Sequence, residues 1–159
     1  MTAREPRRDR IGRETYLLVE LLAQRLSGEL EEVCRTEGIT AAQYPVLWVT
    51  CLHGDVAGVP MGSISDGLVT HASDVSRLVT RLKAAGLLER TRSESDRRVV
   101  RVRPTRRGRA LFDRTTEQVK ALHRRQFSDL GDDELKELHA LLNRAFWSGV
   151  HLGTNEEAS

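Results

Sequence analysis

The stretch that decides the fold is SDVSRLVTRLKAAG, residues 73–86. Its apolar residues recur at the three- and four-residue spacing of one helix face, and they are Val75, Leu78, Val79 and Leu82. The other face carries Ser73, Asp74, Ser76, Arg77, Thr80 and Arg81. Gly86 ends the helix as a C-terminal glycine does. Small polar residues with arginines suit a helix in the DNA major groove, and they equally suit an ordinary solvated amphipathic helix.

The residues on either side of this stretch decide between those two interpretations. A short helix over 62–68 and a tight turn over 69–71 precede it, which together predict a helix-turn-helix. After Gly86 the apolar period changes to alternation, so we expect strands over 87–92 and 99–103. The polar segment 93–98 joins them as a charged hairpin tip that fits a minor groove. The sequence therefore predicts a winged helix-turn-helix.

The remaining elements place this lobe between leucine-rich helices. One strand and the other helices are predicted over residues 11–36, 41–53, 59–61, 105–128 and 132–149. The first helix has an apolar surface wider than one stripe, which indicates burial against its own domain and a second chain. The predicted fold class is mainly α with a small β wing, in the order helix, helix, strand, helix, helix, strand, wing, strand, helix, helix.

This order predicts one domain with two short tails. Residues 1–10 are expected to form a flexible basic tail, and residues 151–159 a frayed one. Residues 11–150 form the single unit between them. Within it we expect dimerisation helices at 11–36 and 105–149 and the DNA-binding lobe at 40–103.

Charge is distributed unevenly along the 159 residues, although the net charge is only +2. The segment from Arg77 to Arg109 holds twelve bases and three acids, which leaves thirteen bases and twenty acids for the rest. Eleven of the twelve bases are arginine, the better ligand for phosphate and base edges. This asymmetry favours a polyanionic partner over a merely solvated surface.

Several function classes find no support in the sequence. No apolar run reaches the roughly 20 residues that span a bilayer, and no signal-peptide pattern follows Met1, so the cytoplasm is the expected location. A glycine-rich phosphate loop, a nucleophile elbow and a paired metal-ligand spacing are all absent from the sequence, so we expect no enzyme, catalytic residue, cofactor or metal. Cys34 and Cys51 lie on apolar helices, which favours inert buried thiols over a redox role.

Five short motifs occur together in this chain. They are SDVSRLVTRL at 73–82, GLLER at 86–90, DRR at 96–98, TRRG at 105–108, and Gly38-Ile39-Thr40 with Gln43. With these motifs the chain resembles, over about residues 11–147, the multiple antibiotic resistance regulator (MarR) family of bacterial transcription factors. The resemblance implies a homodimer that binds a pseudo-palindromic operator in double-stranded DNA, usually to repress transcription.

The resemblance also implies roles for individual residues. In the wing, Arg98 would enter the minor groove, Asp96 would orient it, and Arg97 would reach phosphate. In the reading helix, Ser73, Asp74, Ser76 and Arg77 would face bases, with Arg81 nearer the DNA backbone. Asp74 stands where many relatives have threonine or another neutral residue. It suits a cytosine amine, a pair with Arg77, or the positive end of the helix dipole.

Many members of the family respond to small phenolic or aromatic carboxylic ligands. Arg13, Tyr16, Tyr44, Trp48 and His53 are the residues of this chain that suit such a pocket, since an arginine holds a carboxylate and aromatic rings stack on the ligand. The spacing of Tyr44 and Trp48 is equally that of simple core residues. Two alternatives to a specific regulator remain: a helical protein-interaction module and a non-specific architectural DNA binder, which differ in their response to salt and sequence.

Overall fold

The computed structural model describes residues 7–54, 57–66, 68, 72–92 and 99–150. Its elements are α1 (Arg7–Thr36), α2 (Tyr44–Leu52), β1 (Val59–Pro60), α3 (Met61–Asp66), α4 (Ala72–Ala84), β2 (Leu88–Arg92), β3 (Val100–Pro104), α5 (Arg106–Gln126) and α6 (Asp132–Val150). This order confirms the predicted fold class, mainly α with a small β wing. The chain divides into two compact units, residues 1–122 and residues 123–159.

Helix α1 begins at Arg7, four residues before the predicted start. Asp9 in its first turn interacts favourably with the helix N-terminus. Arg10 and Glu14 form an i,i+4 pair with 4.0 Å between Nε and Oε1, which supports the same turn. Residues 7–10 of the predicted basic tail are therefore helical, and residues 1–6 and 151–159 lie outside the described residues.

Helix α2 begins three residues later than predicted because a turn precedes it. The Gln43 N–H donates to Thr40 Oγ1 at 3.3 Å, and Gln43 Oε1 accepts from the Thr40 N–H at 2.9 Å. This reciprocal pairing is a capping box. Glu31 of α1 accepts a further hydrogen bond from the Ala41 N–H at 2.7 Å. Thr40 therefore caps this turn and not α2 itself, whose N-cap is Gln43 and which starts at Tyr44.

The three strands form one antiparallel sheet in the order β1-β3-β2. Val59 pairs with Val102, and on the other side of β3 Arg90 pairs with the same residue. Gly58 precedes β1 with φ +86, and a Cβ atom there would lie 2.7 Å from the Val102 carbonyl oxygen. Only glycine fits this close approach. The predicted strand residue Met61 instead opens α3, which ends at Asp66, two residues before its predicted end.

The core of the first unit lies between α4, the sheet, α2 and α5. Its members include Val46, Leu47, Val59, Ile64, Val75, Val79, Leu82, Leu87, Leu88, Val102, Leu111 and Phe112. Burying one valine, leucine or phenylalanine side chain of this core contributes about 1.5–3 kcal/mol to the free energy of folding. The core therefore fixes which face of α4 points outward.

Two helices carry large apolar residues on their surfaces. On α1 these are Ile11, Tyr16, Leu17, Leu18, Val19 and Leu21. On α6, in the second unit, they are Leu135, Leu141, Leu142, Phe146 and Trp147. Exposed large apolar side chains in such number are typical of a site of protein association.

Candidate nucleic-acid interface

Helix α4 divides into a buried apolar face and an exposed polar face, as its period predicts. Val75, Val79 and Leu82 are at most 1% exposed. The described side chains of the outer face belong to Asp74, Ser76, Arg77, Thr80 and Arg81, and all are exposed. The backbone of Ser73 lies in the first turn of the helix. The helix thus presents a polar, largely small surface with two guanidinium groups.

The charged groups of this outer face have no partners within the described part of the chain. Asp74, Arg77 and Arg81 form no ion pair or hydrogen bond through their side chains there. Asp74 and Arg77 are therefore not paired with each other in this structure.

Among the bases between Arg77 and Arg109 whose side chains the structure describes, five make hydrogen bonds within the fold. Arg90 binds Thr80 and the Ser76 carbonyl, Arg101 the Gly58 carbonyl, Arg103 the Glu89 carboxylate, Arg107 the Ala85 carbonyl and Arg109 the Cys51 carbonyl. The fork of guanidinium donors suits such contacts with backbone oxygens. In a count of charges along the sequence, these five arginines do not differ from Arg77 and Arg81. In the structure, they form hydrogen bonds that join different segments of the fold.

The C-terminal end of α4 is held against the start of α5 by four residues, which we call the α4–α5 junction: Gly86, Leu87, Thr105 and Gly108. The Thr105 hydroxyl donates to the Gly86 carbonyl at 2.8 Å and accepts from the Gly108 N–H at 3.0 Å. The Thr105 N–H donates to the Leu87 carbonyl at 3.0 Å. A Cβ atom on Gly108 would overlap that carbonyl oxygen. The Thr-Arg-Arg-Gly motif of the sequence is therefore a fixing point for the reading helix.

The predicted wing residues Asp96, Arg97 and Arg98 lie outside the described residues. The strands that flank them are in place: β2 ends at Arg92, and β3 begins at Val100. The roles assigned to these three residues therefore stay predictions.

The five predicted ligand residues fall into different surroundings. Tyr44 stacks on Phe112 of α5 with ring centroids 6.1 Å apart, and its hydroxyl lies 3.2 Å from Thr116 Oγ1. Trp48, which is 40% exposed, makes an edge-type ring contact with His53, with ring centroids 5.2 Å apart. Arg13 and Tyr16 lie on the exposed surface of α1.

The aromatic residues of the predicted pocket differ in their contacts. Trp48 and His53 form one exposed aromatic contact, whereas the Tyr44 ring takes part in packing α2 on α5. A cavity of about 470 Å³ lies elsewhere, lined by Pro60, Met61, Gly62, Arg90, Val99 and Val100. This cavity was not predictable from the sequence, because its lining comes from strands and a helix start that are distant along the chain.

Both cysteines are free and buried. Burial raises the pKa of the Cys34 thiol to about 11, and the nearby Glu31 carboxylate acts in the same direction. Burial likewise raises the pKa of the Cys51 thiol to about 11, outweighing the opposing effect of Arg109. Both thiols are therefore protonated near neutral pH, the unreactive state.

Metal-ligand clusters and membrane-spanning helices are absent from the described residues. Among them, no group of three or more histidine, cysteine or acidic side chains is arranged to hold a metal ion. No helix in those ranges combines the length and apolarity that a membrane crossing requires.

A family model and several known proteins are similar to this chain. The model described as "MarR family" matches residues 37–99, from the end of α1 to the start of β3. The HTH-type transcriptional repressor MdtR of Bacillus subtilis is 28% identical over 127 residues, which cover 80% of this chain and 80% of MdtR.

Two solved structures share the fold. A mutant of MarR from E. coli, complexed with operator DNA, has a TM-score of 0.73 and 27% identity, and the match covers 80% of this chain and 90% of that one. CouR from Rhodococcus jostii, bound to p-coumaroyl-CoA, has a TM-score of 0.68 and 26% identity, with coverage of 79% and 86%.

Proposed function

We infer that this chain, which belongs to the MarR family of winged helix-turn-helix regulators, represses transcription. We propose that it does so by binding a pseudo-palindromic DNA operator as a homodimer. The chain is a DNA-binding transcriptional regulator, not an enzyme. The similarity to MdtR, a repressor, and to MarR in complex with operator DNA supports this function. Access to chromosomal DNA implies a cytoplasmic location.

The observation that carries the proposal is the exposed face of α4. Asp74, Arg77 and Arg81 have no intramolecular partner in the described part of the chain, while the opposite face is buried in the core. Arg77 would pair with a guanine, and Arg81 would approach the DNA backbone. Ser73 and Ser76 would let the helix approach the base edges closely. The reading helix would thus lie in the major groove.

The wing would supply the second contact. Arg98 would enter the adjacent minor groove, where the negative potential is concentrated. Asp96 would orient Arg98, and Arg97 would bind phosphate. These roles rest on the family resemblance and on the strands β2 and β3 that flank the segment.

The homodimer would use the exposed apolar surfaces of α1 and α6. Leu18 of α1 is 67% exposed and Phe146 of α6 is 56% exposed, which is unfavourable for large apolar side chains in water. Covering these surfaces with a second chain would remove that cost. A two-fold dimer would then match the two half-sites of a palindromic operator, about one helical turn apart.

A small aromatic effector would bind near Trp48 and His53. Their exposed rings suit stacking on an aromatic ligand, and by residue type Arg13 suits its carboxylate. CouR, bound to p-coumaroyl-CoA, shows that one similar protein takes an aromatic ligand. Titration with 4-hydroxybenzoate would quench the tryptophan emission of the wild type. The tryptophan emission of the Trp48→Phe variant would stay unchanged. Quenching of equal size in both proteins would contradict this location.

Selection of bound sequences from a random duplex library, at two salt concentrations, tests the function as a whole. We expect an enriched inverted repeat and binding that weakens steeply with salt. Salt-sensitive binding without enrichment would favour the non-specific architectural binder. Absence of binding at low salt would favour the protein-interaction module.

A further inference from the structure

We propose that Arg90 is a positioning residue that ties the base of the wing to the reading helix, an inference that rests on the proposed DNA-binding function. Arg90 lies in the middle of β2, paired with Val102 of β3. Its guanidinium leaves the sheet and reaches α4, where Nη2 donates to Thr80 Oγ1 at 2.9 Å and to the Ser76 carbonyl at 3.3 Å. We call these three residues the Arg90 clasp.

The clasp is a closed set of hydrogen bonds. The Thr80 hydroxyl donates to the Ser76 carbonyl at 2.8 Å while it accepts from Arg90. The single hydroxyl proton of Thr80 is thereby used, and its side-chain rotamer is fixed. Arg90 consequently holds the turn of α4 that carries Ser76 and Arg77 on its exposed face.

The position of the clasp explains why it affects orientation. The α4–α5 junction holds the C-terminal end of α4, at Gly86 and Leu87. The buried face of α4 packs in the core along its length, and the clasp adds directional hydrogen bonds near the middle of the opposite, exposed face. Arg90 also lies two residues before Arg92, the last residue of β2, after which the wing segment begins. The clasp therefore sets the angle between the two elements that would enter the grooves.

The chemistry of Arg90 differs from that of its neighbours on the sheet. Arg103 binds the Glu89 carboxylate at 2.7 Å, so that pair is neutral as a whole. Arg90 has only neutral oxygen partners among the described residues, and its Nε is buried without a hydrogen bond there. Leaving this Nε buried without a hydrogen bond is costly, and an apolar side chain at this position would avoid that cost. The hydrogen bonds to α4 are what the guanidinium adds.

Three variants test the clasp: Arg90→Met, Thr80→Val and the double variant. Each is titrated by fluorescence anisotropy against the duplex that the wild type enriches and against a scrambled duplex, over a range of salt. We expect each single variant to lose about tenfold in affinity for the enriched duplex and the double variant to lose no more, because both remove one coupled unit. Affinity for the scrambled duplex and the salt dependence should stay as in the wild type.

A direct phosphate contact by Arg90 would give a different pattern and would overturn the inference. Arg90→Met would then weaken both duplexes alike and lower the salt slope by about 0.9, and Thr80→Val would be silent. Wild-type affinity in both single variants would also overturn it. Failure of the wild type to enrich any duplex would instead overturn the proposed function, and the inference with it.

Two controls separate orientation from charge and folding. Arg103→Met removes the same charge from the same sheet, at a residue that binds Glu89, and we expect it to preserve the ratio of enriched to scrambled affinity. Arg90→Lys restores the charge without the fork, and we expect it to recover only part of the loss. Thr80→Val removes one hydroxyl and tests the clasp even if Arg90→Met fails to fold.

Discussion

Replacing Gly108 by alanine tests the α4–α5 junction. Gly108 lies in the first turn of α5 against the backbone of Leu87. A Cβ atom there would overlap the Leu87 carbonyl oxygen and lie 2.9 Å from its carbonyl carbon. Because these are backbone atoms, no flexible side chain can move aside. Either α5 or the end of α4 has to shift.

The magnitude follows from three contributions. Overpacking of this kind costs typically 1–3 kcal/mol. The shift also weakens the hydrogen bond of the Thr105 N–H to the same carbonyl, now 3.0 Å long, which is worth about 1 kcal/mol. Alanine recovers at most about 1 kcal/mol through its helix propensity. We therefore expect Gly108→Ala to lower the free energy of unfolding by about 2 kcal/mol.

Urea unfolding at fixed protomer concentration measures this change, since the stability of a dimer depends on concentration. Gly28→Ala is the matched control: it lies within α1, and nothing is within 4 Å of a Cβ atom built there. We expect that variant to gain about 0.5–1 kcal/mol. If Gly108→Ala is as stable as the wild type or more stable, the close packing of α5 on Leu87 is wrong.

Three further predictions concern the wing, the dimer and the thiols. Arg98→Ala should weaken binding to the enriched duplex strongly and leave the dimer intact in sedimentation; unchanged affinity and salt slope would contradict the wing assignment. The wild type should sediment at micromolar concentration as a dimer of 17.9 kDa chains, and Leu18→Glu or Phe146→Glu should yield the single chain; a monomeric wild type would contradict the dimer. Because burial raises the pKa of the Cys34 thiol from 9.0 to about 11, the unfolded chain loses this proton first, so stability should fall between pH 9 and 11. Cys34→Ala should reduce that fall in urea unfolding, and an unchanged pH profile would contradict it.

The fold was predictable where local pattern and core agree. The spacing of Val75, Val79 and Leu82 identifies the buried face of α4, and the structure buries all three. Gly86, with φ +69, ends the helix turn as expected. The start of α2 was less predictable, because the capping box of Thr40 and Gln43 encloses a turn before the helix rather than its first turn.

The candidate site was predictable only in part, for a physical reason. Periodicity indicates that Arg101 alternates with the buried Val102, but it does not indicate what Arg101 meets. Its partner, the Gly58 carbonyl, is 43 residues away in sequence, and the Cys51 carbonyl is 58 residues from Arg109. Such partners arise from tertiary placement. The sequence therefore predicts a basic segment, and the structure distinguishes arginines that join elements from those that face outward.

The central claim is that the exposed face of α4 reads base sequence, and Arg77→Ala tests it most directly. The affinities of the wild type and the variant are measured on the enriched duplex, on each of its single-base-pair variants and on a scrambled duplex. We expect the variant to lose about 1–3 kcal/mol on the enriched duplex, to lose little on the scrambled one, and to become indifferent to one base pair in each half-site. An equal loss on every duplex, with a smaller salt slope, would make Arg77 a phosphate contact and contradict the account.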